Sequence, residues 1–120
     1  MEVKMTTQQK HELIAKKLFG YKVFENKLYV EDDDGGKLCY QSIGKGLPNY
    51  TQNWQKVVEE LNKLESFVSI EIGFDLPRKM SFIKIRHAEN YGKVETFYGN
   101  TIGEAVVNAT VEYFKAVQNG

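Results

Sequence analysis

The sequence contains few of the residues on which metal binding and nucleophilic catalysis depend. It has one cysteine, Cys39, and two histidines, His11 and His87. A single cysteine cannot form an intrachain disulfide, so a reducing cytoplasm is the expected compartment. The two histidines lie far apart and have no cysteine or carboxylate at ligand spacing. No nucleophile and base share a local signature. We therefore expect no metal site, no cofactor and no catalytic residues.

The sequence also lacks an excess of either charge and any long apolar run. Sixteen basic residues balance sixteen acidic ones, so no overall field attracts the chain to DNA or to an anionic membrane. No run approaches the roughly 18 apolar residues that a membrane helix needs. The polar residues 1–10 do not resemble a signal peptide. Neither DNA nor a membrane is therefore an expected partner.

Regularly patterned segments make up most of the chain. Periodicity predicts helices at residues 6–19, 51–64 and 101–117. The first and the last helix open with the capping-box spacing, Thr6 with Gln9 and Thr101 with Glu104. Gly20 follows the first helix, where a left-handed residue is favoured. These signals predict where the helices begin and end.

Alternation of apolar and polar residues predicts six strands, three between the first and second helix and three between the second and third. They lie at residues 21–24, 28–31, 37–41, 68–74, 80–88 and 93–99. The resulting order is α-β-β-β-α-β-β-β-α. We expect a single α+β domain over residues 1–120, with a loose tail at residues 1–5. Its helices and a mostly antiparallel sheet would form a helix-sheet-helix layered sandwich. The loop at residues 42–49 is the only candidate joint.

Three segments carry a resemblance to a known family. Residues 12–21 (ELIAKKLFGY) end in a glycine-aromatic pair. A proline-x-tyrosine motif within Leu47–Thr51, followed by Trp54, precedes the central helix. Residues 101–117 form an alanine-rich closing helix. In this order they resemble the phage ABA sandwich domain family. The resemblance implies a small phage or prophage protein with a layered helix-sheet-helix fold. It transfers no catalytic residues, because that family has no established activity. Phe19 stands where a methionine is frequent, and the acidic 22–41 meander is longer than the family pattern.

The clearest candidate site is one side of the strand at residues 80–88. Phe82, Lys84 and Arg86 share that side by the two-residue period of a strand. Arg78 and Tyr91 lie on the adjoining turns. An aromatic ring with several cations can stack a base and pair with phosphates. If helices cover only the opposite side, this strip is exposed and predicts a ligand platform. The alternative is an ordinary solvated face.

Two further motifs have both a functional and a plain interpretation. Lys45 lies between two glycines in the 42–49 loop, ahead of the second helix, where backbone N–H groups could hold an anion. A flexible connector is the favoured interpretation of that loop, because glycine pairs are common in loops. Residues 31–34 (EDDD) could bind a divalent cation. Contiguous aspartates splay apart, however, and a solvated hairpin turn is the favoured interpretation.

Three hypotheses for function follow. The first is a non-catalytic phage binding protein that acts in the host cytoplasm, either sequestering a nucleotide-derived signal of host defence or binding a host defence protein. The second is a small structural or assembly protein that forms homo-oligomers through a free edge strand. The third is a small hydrolase that uses Glu71 or the aspartate cluster. The first is preferred because of the phage resemblance and the cationic strip.

Overall fold

The computed structural model describes residues 5–34, 37–64, 67–88 and 93–119. The helices are α1 (Thr7–Lys17), α2 (Trp54–Asn62) and α3 (Ile102–Asn119). The strands are β1 (Lys22–Phe24), β2 (Lys27–Asp34), β3 (Lys37–Gly46), β4 (Phe67–Asp75), β5 (Met80–His87) and β6 (Val94–Gly99). This arrangement confirms the predicted α+β class and the predicted order of elements. Residues 1–4, most of the predicted tail, lie outside the described residues.

The strands form two sheets, whereas one sheet was predicted. Both are antiparallel and three-stranded, with the orders β1-β2-β3 and β4-β5-β6. The alternating pattern identified the strands but could not identify their partners, because pairing depends on residues far apart in the chain. The chain divides into compact units at residues 1–49 and 50–120, each with one sheet. The predicted single layered domain stays a prediction.

In the first unit, both ends of α1 follow the predicted capping chemistry. Thr6 Oγ1 accepts the Gln9 N–H at 3.1 Å, and the Gln9 side-chain oxygen accepts the Thr6 N–H at 2.9 Å. Gly20 has a φ of 77°, and the Tyr21 N–H donates to the Ala15 carbonyl at 2.9 Å. The capping box and the left-handed glycine are therefore confirmed. The α-helix ends at Lys17 rather than at Phe19.

The hairpin of β2 and β3 is longer than predicted. Asp34 lies opposite Lys37, so the acidic run belongs to the end of β2. The turn glycines 35–36 lie outside the described residues. β3 continues to Gly46, and the Leu47 N–H then donates to the Asn26 carbonyl at 2.7 Å. Much of the predicted 42–49 loop is therefore strand.

In the second unit, two helices cover one side of the β4-β5-β6 sheet. α3 packs on β5 and β6, and α2 contacts α3 and β4. On the central strand β5, Ile83 and Ile85 are buried while Lys84 and Arg86 are exposed. The predicted division of β5 into an apolar side under the helices and a cationic side facing away is therefore found.

The first ten residues of α3 are largely buried. The buried residues are Gly103, Ala105, Val106, Val107, Ala109, Thr110 and Val111. They cover more than one helix face because α3 packs both on the sheet and on α2. The Thr110 hydroxyl donates to the Val106 carbonyl at 2.8 Å, so this polar group is satisfied inside the helix.

Strand β4 is an edge of its sheet and remains partly uncovered. Ile72 and Phe74 are 42% and 55% exposed, and Leu76 in the following turn is 77% exposed. The alternating pattern placed Ile72 and Phe74 on the apolar side of the sheet. They are on that side, opposite Ile83 and Ser81, but α3 lies over β5 and β6 instead.

Candidate functional site

The cationic side of the β4-β5-β6 sheet carries two rows of aligned side chains. We call this side the open face and define it by Phe82, Lys84 and Arg86 of β5 with Thr96 and Tyr98 of β6. Phe82 lies opposite Tyr98, and Lys84 lies opposite Thr96. Directly opposed residues of antiparallel strands point to the same side of a sheet. The register therefore places two rings and two cations together on one surface.

The ring of Phe82 lies across the glycine of the neighbouring strand. Gly73 is opposite Phe82, and a Cβ atom at Gly73 would stand only 2.7 Å from Phe82 Cζ. A side chain at position 73 would therefore displace the ring. The Lys84 ammonium stands 6.0 Å from the centre of the same ring, at the limit of a cation–π interaction.

The guanidinium group of Arg78 lies over the second ring, that of Tyr98. Arg78 Cζ lies 4.6 Å from the centre of the Tyr98 ring. Asp75 holds the turn that presents this arginine: its Oδ1 accepts the Arg78 N–H at 3.2 Å, and its Oδ2 lies 3.8 Å from Arg78 Nε. The Arg78 side chain remains 62% exposed. The guanidinium is thus positioned over the ring and still accessible to a ligand.

The two β5 cations are available for an anion. Lys84 and Arg86 are exposed, and neither forms an ion pair with another residue in the described part of the chain. Glu71 is opposite Lys84 in the register but is not paired with it. The unpaired charges and the flanking rings are the chemistry that binds a planar, anionic ligand.

Two further residues were predicted for a site. Tyr91 lies outside the described residues. Lys45 belongs to β3, because strand pairing extends through Gly46, and α2 begins only at Trp54. Lys45 therefore lies on a strand rather than in the predicted loop, and its role as an anion ligand stays a prediction. No group of three metal-ligating side chains occurs among the described residues.

Sequence reasoning missed a pocket on the helix side of the same sheet. We call it the His87 pocket; its volume is about 290 Å³. Its lining consists of Phe67, Ile85, His87, Lys93, Glu95 and Phe97 from the strands and their ends, with Ala109, Glu112, Tyr113 and Ala116 from α3. The walls are thus largely aromatic and aliphatic, and charged residues lie among them.

His87 is the most unusual group in this pocket. Its side chain is only 20% exposed, and its ring meets Phe67 edge to face at 5.7 Å. Nε2 is buried and lies 3.2 Å from Glu95 Oε1. The two atoms are misaligned, so Nε2 has no hydrogen-bond partner among the described residues.

A sequence signal for the pocket did exist. His87 follows Ile83 and Ile85 by the two-residue period, which places an imidazole on the helix side of the sheet. Glu95 lies opposite Ile85 on the neighbouring strand. It is therefore diagonal to His87 and on the same side of the sheet. The two α3 alanines, Ala109 and Ala116, are seven residues apart and therefore share a helix face. Only the packing of α3 shows that this face leaves space beside His87.

Comparisons with known proteins give one structural relative. No protein-family model and no curated protein matches this chain. The crystal structure of a phage protein from Bacillus cereus ATCC 14579 is similar, with a TM-score of 0.60 and 20% sequence identity over 92% of this chain and 94% of that chain. At this identity the similarity shows a shared fold. Within the described part of the chain, no helix combines the length and hydropathy required to span a bilayer.

Proposed function

We propose that this chain is a non-catalytic phage or prophage binding protein that holds a nucleotide-derived anion on its open face. The observation that supports this most directly is the surface formed by Phe82 and Tyr98 with three accessible cations, Arg78, Lys84 and Arg86. The Phe82 ring can stack with a base, the Tyr98 ring supports the Arg78 guanidinium, and each cation can pair with a phosphate. These are the two interactions that nucleotide binding needs.

The geometry of the sheet suits a ligand of this size. Phe82 is opposite Tyr98 in the register, but its ring leans over Gly73 of β4, away from β6. Lys84 and Arg86 follow Phe82 on the same side of β5. A base on the Phe82 ring could therefore place its phosphates beside these two cations.

The phage assignment has two supports. The order of three segments resembles the phage ABA sandwich domain family, and the structural relative is a phage protein. A layered helix-sheet-helix sandwich and action in the host cytoplasm are part of the same proposal. In that setting, a protein with this face sequesters a nucleotide signal of host defence. Binding to a host defence protein is the other version of this role.

Calorimetry with a panel of cyclic nucleotides and ADP-ribose tests the proposal. We expect at least one of them to bind, and Arg86→Ala and Lys84→Ala each to weaken that binding about tenfold, as the loss of a charge-assisted contact predicts. Phe82→Leu should weaken it by removing the stacking ring. The matched control is Lys56→Ala on α2, which removes an exposed cation elsewhere. No heat with any of these ligands, or equal losses for the control, would contradict the proposal.

A second candidate function is homo-oligomerisation, and the edge strand β4 favours it. Its exposed Ile72 and Phe74, with Leu76 beyond, form an apolar strip beside an unpaired strand edge. Such an edge can pair with a second copy unless it is protected. Light scattering at high protein concentration would then show an assembly, and Phe74→Lys would return it to a monomer. A monomer at every concentration would remove this candidate.

A further inference from the structure

The sheet of the first unit carries a cluster of rings on one side. The ring centre of Phe24 lies 5.5 Å from that of Tyr29 and 6.0 Å from that of Tyr40; we call these three residues the aromatic cluster. Phe24 and Tyr40 are 51% and 45% exposed, whereas Leu28, on the other side of the sheet, is buried. A contiguous exposed apolar surface of this kind is typical of a binding site.

A pocket of about 320 Å³ adjoins the aromatic cluster at the edge strand β1. We call it the lysine pocket. It is lined by residues from the end of α1, from the turn after it and from β1, namely Lys16, Lys17, Gly20, Tyr21, Lys22, Val23 and Phe24. Three of these residues are cations, and none is an acid. Phe24 belongs to both the pocket and the aromatic cluster, so the two form one continuous surface.

The cations of the lysine pocket are accessible and unpaired. Lys16, Lys17 and Lys22 are all exposed, and none of them forms an ion pair within the described part of the chain. The dipole of α1 favours cations at its C-terminal end, which accounts for the first two lysines but not for Lys22 on β1. Three like charges around one pocket repel one another, and an anionic ligand would relieve that repulsion.

We infer that this surface binds single-stranded nucleic acid, with bases stacked on Phe24 and Tyr40 and phosphates in the lysine pocket. Binding of a single strand without sequence preference combines exposed rings for the bases with cations for the backbone. Glu31 lies opposite Tyr40 and repels phosphates there, so the backbone should leave the rings towards Lys22. The net charge of zero does not oppose this, because the attraction is local.

Fluorescence anisotropy with a labelled oligodeoxythymidylate tests this inference on the full chain. A length of about twelve nucleotides lies within the range of known single-strand sites. We expect the single strand to bind at low salt, and a G·C-rich duplex of the same length to bind about tenfold more weakly, because its bases are stacked on one another and cannot reach the rings. Inorganic polyphosphate should compete poorly for the same reason.

Two variants separate the rings from the cations. Phe24→Leu removes the central ring and should weaken single-strand binding about tenfold while leaving duplex binding nearly unchanged. Lys17→Ala, at an exposed position of α1 where alanine suits the helix, should weaken both. Each phosphate contact contributes about −0.7 to the slope of log affinity against log salt. Three contacts predict a slope of about −2, which Lys17→Ala should change to about −1.4. Lys56→Ala is again the control.

Three outcomes would overturn the inference. They are the absence of binding at low salt, equal affinity for single strand and duplex, and unchanged single-strand affinity in Phe24→Leu. A fourth concerns the open face: if Lys84→Ala weakens oligonucleotide binding and Lys17→Ala does not, the strand lies on the open face and this inference fails. Mononucleotide binding there is measured with other ligands and variants, so failure of one site is distinguished from failure of the other.

Discussion

At the scale of single residues, the two histidines occupy contrasting environments. His11 is 6% exposed within α1. Burial is the larger of two causes that lower its pKa below the ordinary value of 6.5, and the nearby positive charge of Lys10 is the smaller. His87 instead lines a pocket and leaves Nε2 without a hydrogen bond among the described residues. One imidazole is packed inside the core, and the other lies beside the Glu95 carboxylate at the wall of a pocket.

Protonation of His11 should make the fold less stable in acid. Because its pKa is lower in the folded chain, the unfolded chain binds more protons as the pH falls below 6.5, and the free energy of unfolding decreases. This contribution is fully present above pH 6.5 and is lost as the pH falls through the folded pKa. Urea unfolding between pH 8 and pH 5 should show a smaller loss for His11→Gln than for the unmodified chain. Parallel curves would contradict this assignment.

Gly73→Ala should displace the Phe82 ring without unfolding the sheet. The new methyl group would lie 2.7 Å from Phe82 Cζ and 2.9 Å from Cε1, so the ring must tilt away. The ring edge can move, and alanine lowers the entropy of the unfolded chain, so the free energy of unfolding should change by less than about 1 kcal/mol. We expect altered Phe82 ring resonances in NMR spectra and several-fold weaker nucleotide binding.

Gly46→Ala is the matched control for that substitution. A Cβ at Gly46 would meet only the Asn26 carbonyl, at an ordinary 3.5 Å. Its effect on the Phe82 resonances and on nucleotide affinity should be negligible. If Gly73→Ala leaves the Phe82 resonances in place as well, the ring does not lie across Gly73 as described.

At the scale of elements, α3 organises the second unit. Glu104 N–H donates to Thr101 Oγ1 at 3.2 Å, and the Glu104 carboxylate accepts the N–H of Asn100 at 2.9 Å. The predicted cap is present, although its return bond reaches Asn100 rather than Thr101. The small residues Gly103, Ala105 and Ala109 are all buried. The first half of α3 is therefore held by a cap and by close packing.

Gly103→Ala should destabilise the chain even though alanine favours helices. A Cβ at Gly103 would overlap the Thr51 carbonyl oxygen, and that oxygen belongs to the backbone, which cannot move aside as a side chain can. Overpacking of this kind costs about 1–3 kcal/mol, more than the roughly 1 kcal/mol that alanine gains within a helix. Urea unfolding measures the net loss. Gln55→Ala, at an exposed position of α2, should cost almost nothing.

At the scale of the whole molecule, attraction of an anion must come from local charge. The chain has a net charge of zero, and the cations of the open face are exposed, with Glu71 opposite Lys84 on the neighbouring strand. Exposed charges are screened within about 10 Å at 0.1 M salt. Nucleotide binding on the open face should therefore depend on ionic strength.

Salt should weaken nucleotide binding. Raising the salt concentration from about 0.05 to 0.5 M should reduce nucleotide affinity several-fold, because it shortens the screening length. Calorimetry at both salt concentrations provides the measurement. A nucleotide affinity independent of salt would argue against contacts from Lys84 and Arg86.

Much of the local structure could be predicted because its causes lie close together in the chain. The Thr6–Gln9 cap, the positive φ of Gly20 and the two sides of β5 each depend on residues a few positions apart. The same period placed Phe82, Lys84 and Arg86 on one side, where the two cations are exposed and Phe82 is half-buried. Their ligand-binding role stays a prediction.

The sequence by itself determined the type and order of the elements and which side of each strand is apolar, since hydrophobic period and capping are local properties. Tertiary structure decided that six strands form two sheets, that β3 extends through Lys45, and that α3 leaves a pocket beside His87. Each of these depends on segments distant in the chain meeting in space. A pattern read along the chain contains no such pairing.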